Sequence, residues 1–279
     1  MFVIDTNALR QRAVNRLSWR YTFCMPAQNA TERFSSRVAD YVRFRPGYPE
    51  EILALLRKEC GLTSETVIAD IAAGTGIFTR LLLENGNKVF GIEPNAKMRQ
   101  AGEEYLRSYS RFTSLAGTAE ATTLPSGAVD LVTAAQAAHW FDRQKARAEF
   151  VRILKPSGWT VLIWNERRTG STPFLREYEQ LLLEYGTDYQ EVRHERTTAE
   201  IAAFFAPSAF RTRVFEMPQT CDYAGLEGRL LSSSYIPPRG HAKFSPMLQD
   251  LRRLFDKYQK QGQVVLEYDT RVFYGQLAE

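Results

Sequence analysis

The stretch that most restricts the fold is Asp70-Ile71-Ala72-Ala73-Gly74-Thr75-Gly76. The apolar run Val67-Ile68-Ala69 leads into it and a helix-like pattern leaves it. A buried strand that turns through small residues straight into a helix is the opening unit of a parallel sheet, because parallel neighbours need a crossover between them. The alternation continues. Strands are predicted over 67–70, 88–92, 112–115, 130–134 and 159–164, and helices over 76–84, 96–105 and 143–154. Ahead of them, Pro49 and Glu50-Glu51 open a helix that carries Ile52, Leu55 and Leu56 on one face and stops at Gly61. Such a series reads as a doubly wound α/β sheet. After Asn165 the spacing changes to helix-like, aromatic-rich segments over 172–185 and 190–205, which read as a lid, then a strand over 211–217, a helix over 246–261 and a last strand over 271–276 that closes the sheet.

Composition removes several classes. Of 279 residues, 44% are hydrophobic, too many for a wholly disordered chain. Cys24, Cys60 and Cys221 are odd in number, far apart and without a CxxC pair, so neither a disulfide scaffold nor a thiolate zinc site is expected. His139, His194 and His241 are dispersed, with no HExxH, so no metal site is expected and a metal-dependent hydrolase is set aside. No apolar run reaches the roughly 18 residues of a membrane span, and a soluble, cytoplasmic protein without a membrane partner is expected. The formal net charge is +4, but residues 1–24 hold four arginines against one aspartate, so +3 of it belongs there and about +1 to the remainder. A near-neutral body speaks against a nucleic-acid partner. Residues 1–24 read as an N-terminal extension: a mis-called start before Met25, a disordered arm, or a transit peptide.

In an open α/β sheet a ligand sits beyond the carboxyl ends of the strands, where the strand order reverses. Glycine and alanine in the 70–76 turn let backbone approach that ligand, and the following helix presents free N–H groups. Reading from Gly74, Thr79 occupies the place of the third glycine of a dinucleotide fingerprint, which weakens a nicotinamide-dependent oxidoreductase. Glu93 ends the second strand at the distance from Asp70 where a carboxylate can hold ribose hydroxyls. Asp70 and Glu93 as helix caps are the plain alternative.

These residues resemble the nucleotide-binding half of class I S-adenosylmethionine-dependent methyltransferases. Gly117-Thr118-Ala119-Glu120, Leu124-Pro125, Asp130-Leu131-Val132 and Leu154-Lys155-Pro156-Ser157-Gly158 follow in that family's order. Phe34-Ser35-Ser36 with Tyr41, Arg45-Pro46-Gly47-Tyr48-Pro49, Gln136 with His139-Trp140-Phe141, and Ser234-Tyr235-Ile236-Pro237 are similar to the small-molecule branch that includes trans-aconitate-type carboxyl methyltransferases. Ala72 and Ser157 stand where that family usually has glycine.

The resemblance implies a Rossmann-like, seven-stranded, mostly parallel sheet with helices on both faces, its last strand antiparallel, and a helical lid. It divides the chain into the 1–24 extension, a 25–60 helical lid, a 61–166 cofactor core and a 167–279 substrate cap that completes the sheet. It also implies S-adenosyl-L-methionine as cofactor, with S-adenosyl-L-homocysteine as product. Asp70 and the turn through Ala72, Ala73, Gly74 and Gly76 would hold the methionine end, Glu93 the ribose, Pro94 and Met98 the adenine face, and Thr118, Ala119 and Glu120 the adenine edge. Gln136 and Ala137 would line the floor near the methyl, with Tyr41 and Arg45 closing over the cofactor. The acceptor would be a small organic molecule, one form being a carboxylate, which is ionised at neutral pH and needs no base. His139 is the candidate catalytic residue, as positioner or base, or a packed neighbour of Trp140. Arg167 and Arg168 could clamp an acid or belong to a solvated loop. Tyr185, Tyr189, His194 and Tyr235 shape the acceptor pocket or pack the cap. A catalytically silent cofactor binder keeps the same motifs. The protein is expected as a monomer or homodimer.

Overall fold

A computed structural model describes residues 43–189 and 197–278, and for 197–199 the backbone alone. The 1–24 extension, residues 25–42 of the 25–60 lid, the Phe34-Ser35-Ser36 match, Tyr41 and His194 lie outside the described residues.

Seven strands form one sheet. In chain order they are β1 (Val67–Ile71), β2 (Lys88–Ile92), β3 (Phe112–Leu115), β4 (Val129–Ala135), β5 (Leu154–Arg167), β6 (Arg211–Cys221) and β7 (Val264–Gly275). Their spatial order is β3-β2-β1-β4-β5-β7-β6. The first five run parallel, and β7 lies antiparallel between β5 and β6. The order reverses at β1, which pairs with β2 on one side through Asp70↔Gly91 and with β4 on the other through Asp70↔Thr133. The carboxyl ends of β1, β2, β4 and β5 therefore share one edge, which is where a ligand of this architecture sits.

Helices cover both faces: α1 (Glu51–Cys60), α2 (Ile77–Glu84), α3 (Ala96–Tyr105), α4 (Arg143–Ile153) and α6 (Thr197–Phe205). Alternation along the strands sorts the core. Ile68, Val89, Leu131 and Val161 face Ile52 and Leu56 of α1 and Leu82 of α2, whereas Ala69, Val132 and Leu162 face Phe150 of α4. A third core is built by α5 (Pro173–Tyr185), α7 (Tyr223–Leu231) and α8 (Phe244–Tyr258), which bury Leu182, Leu226, Leu230 and Leu251 against Leu266 and Tyr268 of β7. Short polar caps set the helix starts: Asn95 accepts from the Lys97 and Met98 amides, Asp142 from Lys145 and Thr172 from Leu175. Gly76, at φ 84°, opens α2 without a side-chain cap, so the first turn of α2 faces the preceding loop.

The expected seven-stranded α/β sheet with its antiparallel last strand is present. Five elements differ. The last strand begins at Val264 rather than near 271, β5 runs over Leu154–Arg167 rather than 159–164, β6 runs on to Cys221 rather than 217, the last helix ends at Tyr258 rather than 261, and α7 has no counterpart among the expected helices. Of the helix expected over 190–205, the described part is α6.

Candidate functional site

The turn after β1 is held from below by one acid. Asp70 is 1% exposed, and its two oxygens accept from the Thr79 hydroxyl of α2 (2.6 Å) and the Thr133 hydroxyl of β4 (2.8 Å). Burial pushes its carboxyl up to about 6, although both hydroxyls oppose the shift and Glu93 adds to it. Ala72 lies at φ 53° and Gly74 at φ 59°, so the loop coils through the left-handed region twice in three residues. Glu93 binds the loop from the side, accepting from the Gly74 amide (2.9 Å) and the Asn95 amide (2.8 Å). Desolvation raises its carboxyl too, countered by those amides and by Arg99. A side chain at Gly74 would touch the Met98 methyl at 3.4 Å, so Met98 supports the loop from α3.

Beyond this loop opens a cavity of about 360 Å³, within the range of about 300–1,000 Å³ usual for small-molecule sites. Ala72, Ala73, Gly74 and Thr75 form one wall and Gln136 with His139 another; Arg167, Tyr189, Arg229 and Tyr235 stand at a further one. Arg45, Pro46 and Tyr48, which precede α1, also line it. Asn165 ties the walls together: its Nδ2 donates to the Gly47 carbonyl (2.9 Å), its Oδ1 accepts from Thr270 (2.6 Å), and its backbone carbonyl accepts from Gln136 (3.0 Å). Gln136 itself sits at φ 59°, an uncommon conformation held by the backbone bond of its amide to Ile163 (2.8 Å).

The structure brings together Arg45, Asp70, Ala72, Ala73, Gly74, Gln136, His139, Arg167, Tyr189 and Tyr235 around this cavity. Gly76 stands one residue behind the wall, opening α2. Glu93, Pro94, Met98, Thr118, Ala119, Glu120 and Ala137 do not line the cavity. Glu93 and Pro94 follow β2 and Thr118 follows β3. Met98 and Ala119 are buried, and the Glu120 carboxylate accepts from the Asp142 amide (2.8 Å). His139 lies on a single 3-10 turn, Ala138–Trp140, exposed, with its ring 4.7 Å from that of Trp140.

The two arginines part company. Arg167 turns inward to pair with Glu179 and donates to the Tyr189 hydroxyl (3.0 Å), with its guanidinium over the Tyr178 ring. Arg168 points away and pairs with Asp269 (2.7 Å) and Glu216 (2.7 Å). Tyr185 is likewise outside the cavity, its hydroxyl on Asp250 (2.5 Å). Arg229 was not among the expected residues. The signal for it was a lone arginine amid Leu226, Leu230 and Leu231 on an unrecognised helix.

Among the described residues no group of three or more His, Cys, Asp or Glu side chains is placed to hold a metal ion, and no helix is long and apolar enough to cross a membrane. The fit to an adenosyl cofactor has a direct sign: the Thr75 hydroxyl, in the wall of the cavity, is buried with no hydrogen-bond partner among the described residues.

Residues 69–162 match the family described as "Methyltransferase domain". An uncharacterized methyltransferase-like protein of Schizosaccharomyces pombe is 27% identical over 253 residues, spanning 89% of this chain and 97% of that protein. An uncharacterized methyltransferase of Mycobacterium bovis is 35% identical over 169 residues, or 60% of this chain and 64% of the relative. In structure, a putative type II methyltransferase from Anaeromyxobacter dehalogenans superposes with a TM-score of 0.64 at 20% identity, covering 85% of this chain and all of that one. With the sheet order and the loop after β1, these likenesses show a methyltransferase-like fold and a sequence similar to methyltransferases over the core.

Proposed function

We propose that the chain is an S-adenosylmethionine-dependent methyltransferase that transfers the methyl group to a small organic acceptor bearing an acidic group, a carboxylate being one form of the methylated group. The observation that carries this reading is the position of the cavity, which lies between the Ala72–Thr75 loop and the polar wall of Arg167, Arg229, Tyr189 and Tyr235. Its size fits a small molecule, and the resemblance to trans-aconitate-type carboxyl methyltransferases agrees with an acid.

When bound, S-adenosylmethionine supplies a methyl group already activated by its sulfonium. The protein's share of the work is then alignment and exclusion of water. Ala72 to Gly76 form the cradle for the methionine end, with the Thr75 hydroxyl free to donate. Glu93 holds the ribose. Two backbone amides fix its carboxylate while leaving lone pairs for further donors. Pro94 and Met98 would face the adenine, with Thr118, Ala119 and Glu120 along its edge. Gln136 makes the floor beneath the methyl, with the buried Ala137 behind it, and Arg45 covers the cavity from the segment before α1. A carboxylate acceptor is ionised well below neutral pH, so no base is required, and His139 positions the acceptor at the mouth beside Trp140. The cytoplasm is the compartment this reading assumes.

Calorimetric titration with S-adenosylmethionine and S-adenosylhomocysteine tests the cofactor half. Heat with both is expected, and none with either on folded protein would overturn the reading. Formation of S-adenosylhomocysteine on a panel of small carboxylic acids, amines and phenols tests the acceptor half and separates an enzyme from a silent binder.

A further inference from the structure

The cavity holds more cation than acid at the wall made by α7 and the end of β5. Arg45, Arg167 and Arg229 line it. Arg45 donates to the Ser232 carbonyl (3.0 Å), and Arg167 is matched by Glu179. Arg229 is different. It is 8% exposed, its Nε donates to the Tyr268 hydroxyl (3.0 Å) and its Nη1 to the Ser233 hydroxyl (2.9 Å). No carboxylate among the described residues pairs with it, and its Nη2 has no hydrogen-bond partner there. The Nη1 of Arg167 is also buried without a hydrogen-bond partner among the described residues. Arg167 and Arg229 line the cavity together with Tyr189 and Tyr235. The acids along the lining are occupied elsewhere, Asp70 by two threonines and Glu166 by Arg271 (2.6 Å).

A buried guanidinium without an acid is a costly arrangement unless something anionic completes it. A planar fork with free N–H groups suits a carboxylate or a phosphate. An oxyanion gripped this way has its lone pairs committed to hydrogen bonds and is a poor nucleophile, so the gripped group is an anchor rather than the methylated atom.

We propose that Arg229, with the free Nη1 of Arg167, binds an anionic group of the acceptor remote from the methylated atom, so that Arg229 determines specificity for bifunctional acceptors carrying a carboxylate or phosphate anchor. The proposal rests on the cavity being the acceptor site of the methyltransferase reading above.

The test is calorimetry on the full chain saturated with S-adenosylhomocysteine, using glutarate, glycerol 3-phosphate and the neutral glutaramide. At least one anion binds wild type ten-fold or more tighter than glutaramide, and whether glutarate or glycerol 3-phosphate is preferred names the anchor. Arg229→Gln weakens the anion ten-fold or more, Arg229→Lys restores part of it, and affinity for S-adenosylhomocysteine stays within about two-fold in both. Equal binding of glutaramide and the anions, no anion binding to wild type, or anion affinity unchanged in Arg229→Gln overturns the proposal. The wild-type comparison decides alone if Arg229→Gln does not fold. Failure of wild type to bind S-adenosylhomocysteine would instead strike the methyltransferase reading, whereas binding of that nucleoside with indifference to ligand charge strikes only the anchor.

Discussion

Ala72 and Ser157 stand where the resembling family has glycine, and both take positive φ, 53° and 63°. A Cβ in that region costs roughly 1–2 kcal/mol, so each departure is a local strain the fold carries. At Ser157 the strain lies in the loop within β5 that precedes Trp159, on the side of the sheet away from the cavity. At Ala72 it lies in the cavity wall. Ala72→Gly removes the clash but frees the unfolded chain, which takes back about 0.4–1 kcal/mol. The expected outcome is a melting temperature higher by up to about 3 °C in calorimetry and unchanged or tighter cofactor binding; a lower melting temperature would show that the alanine methyl packs favourably. Glu93 acts on the same loop from the next strand. Glu93→Ala leaves the Gly74 and Asn95 amides without their acceptor and removes the charged partner assigned to the ribose, so affinity for S-adenosylhomocysteine should fall by about 1–3 kcal/mol. Unchanged affinity in a titration would place the ribose elsewhere.

Among the elements, the sheet and its loop were legible in the sequence because their patterns are local. Val67-Ile68-Ala69 followed by small residues, and helices with an apolar face ending at Gly61 or before Pro156, need no knowledge of the rest of the chain. The cap was less legible for the opposite reason. Strand β7 pairs with β6 over Val264–Tyr274 and with β5 over Tyr268–Gly275, and its first half packs into the cap core through Val264, Leu266 and Tyr268. With Val265 and Glu267 between them and Asp269 after them, that half reads as a weak amphipathic stretch until its neighbours are known. Helix α7 is short and contains Gly225 and Gly228, which lowered its helical signal. The structure explains Gly228: a Cβ there would meet the Phe44 ring at 2.2 Å. Gly228→Ala should therefore displace Phe44 and the adjoining Arg45, Pro46 and Tyr48 from the cavity, weakening cofactor binding several-fold with a small change in melting temperature. Leu226→Ala, in the core of the cap, should do the reverse, costing about 2–5 kcal/mol of stability. Paired melting curves and titrations distinguish them, and equal losses of both properties in Gly228→Ala would mean that Phe44 is not a separable clamp.

For the molecule as a whole, the acid at the reversal point couples fold and site. Asp70 joins β1, β4 and α2 through two threonine hydroxyls, and it lines the cavity where the cationic donor is assigned. Its carboxyl is raised from 3.8 to about 6, mainly by burial. A raised acid binds its proton more tightly in the folded state than in the unfolded one. The stability it contributes is thus complete below pH 3.8 and lost as the pH climbs through about 6, an effect of about 3 kcal/mol. Against a total of about 5–15 kcal/mol, that is a substantial sacrifice at neutral pH, and attraction of the sulfonium of the proposed cofactor would give it a purpose. Asp70→Asn keeps the shape and one acceptor but removes the charge. Urea unfolding at several pH values between 4 and 7.5 should show the variant gaining on wild type by about 2–3 kcal/mol as the pH rises, with the rise centred between 4 and 6. At pH 7 the same variant should lose affinity for S-adenosylmethionine more than for the uncharged S-adenosylhomocysteine. A pH-independent stability difference would mean that Asp70 titrates as an ordinary acid, and equal losses for the two nucleosides would mean that its role is to hold the loop rather than to attract the charge.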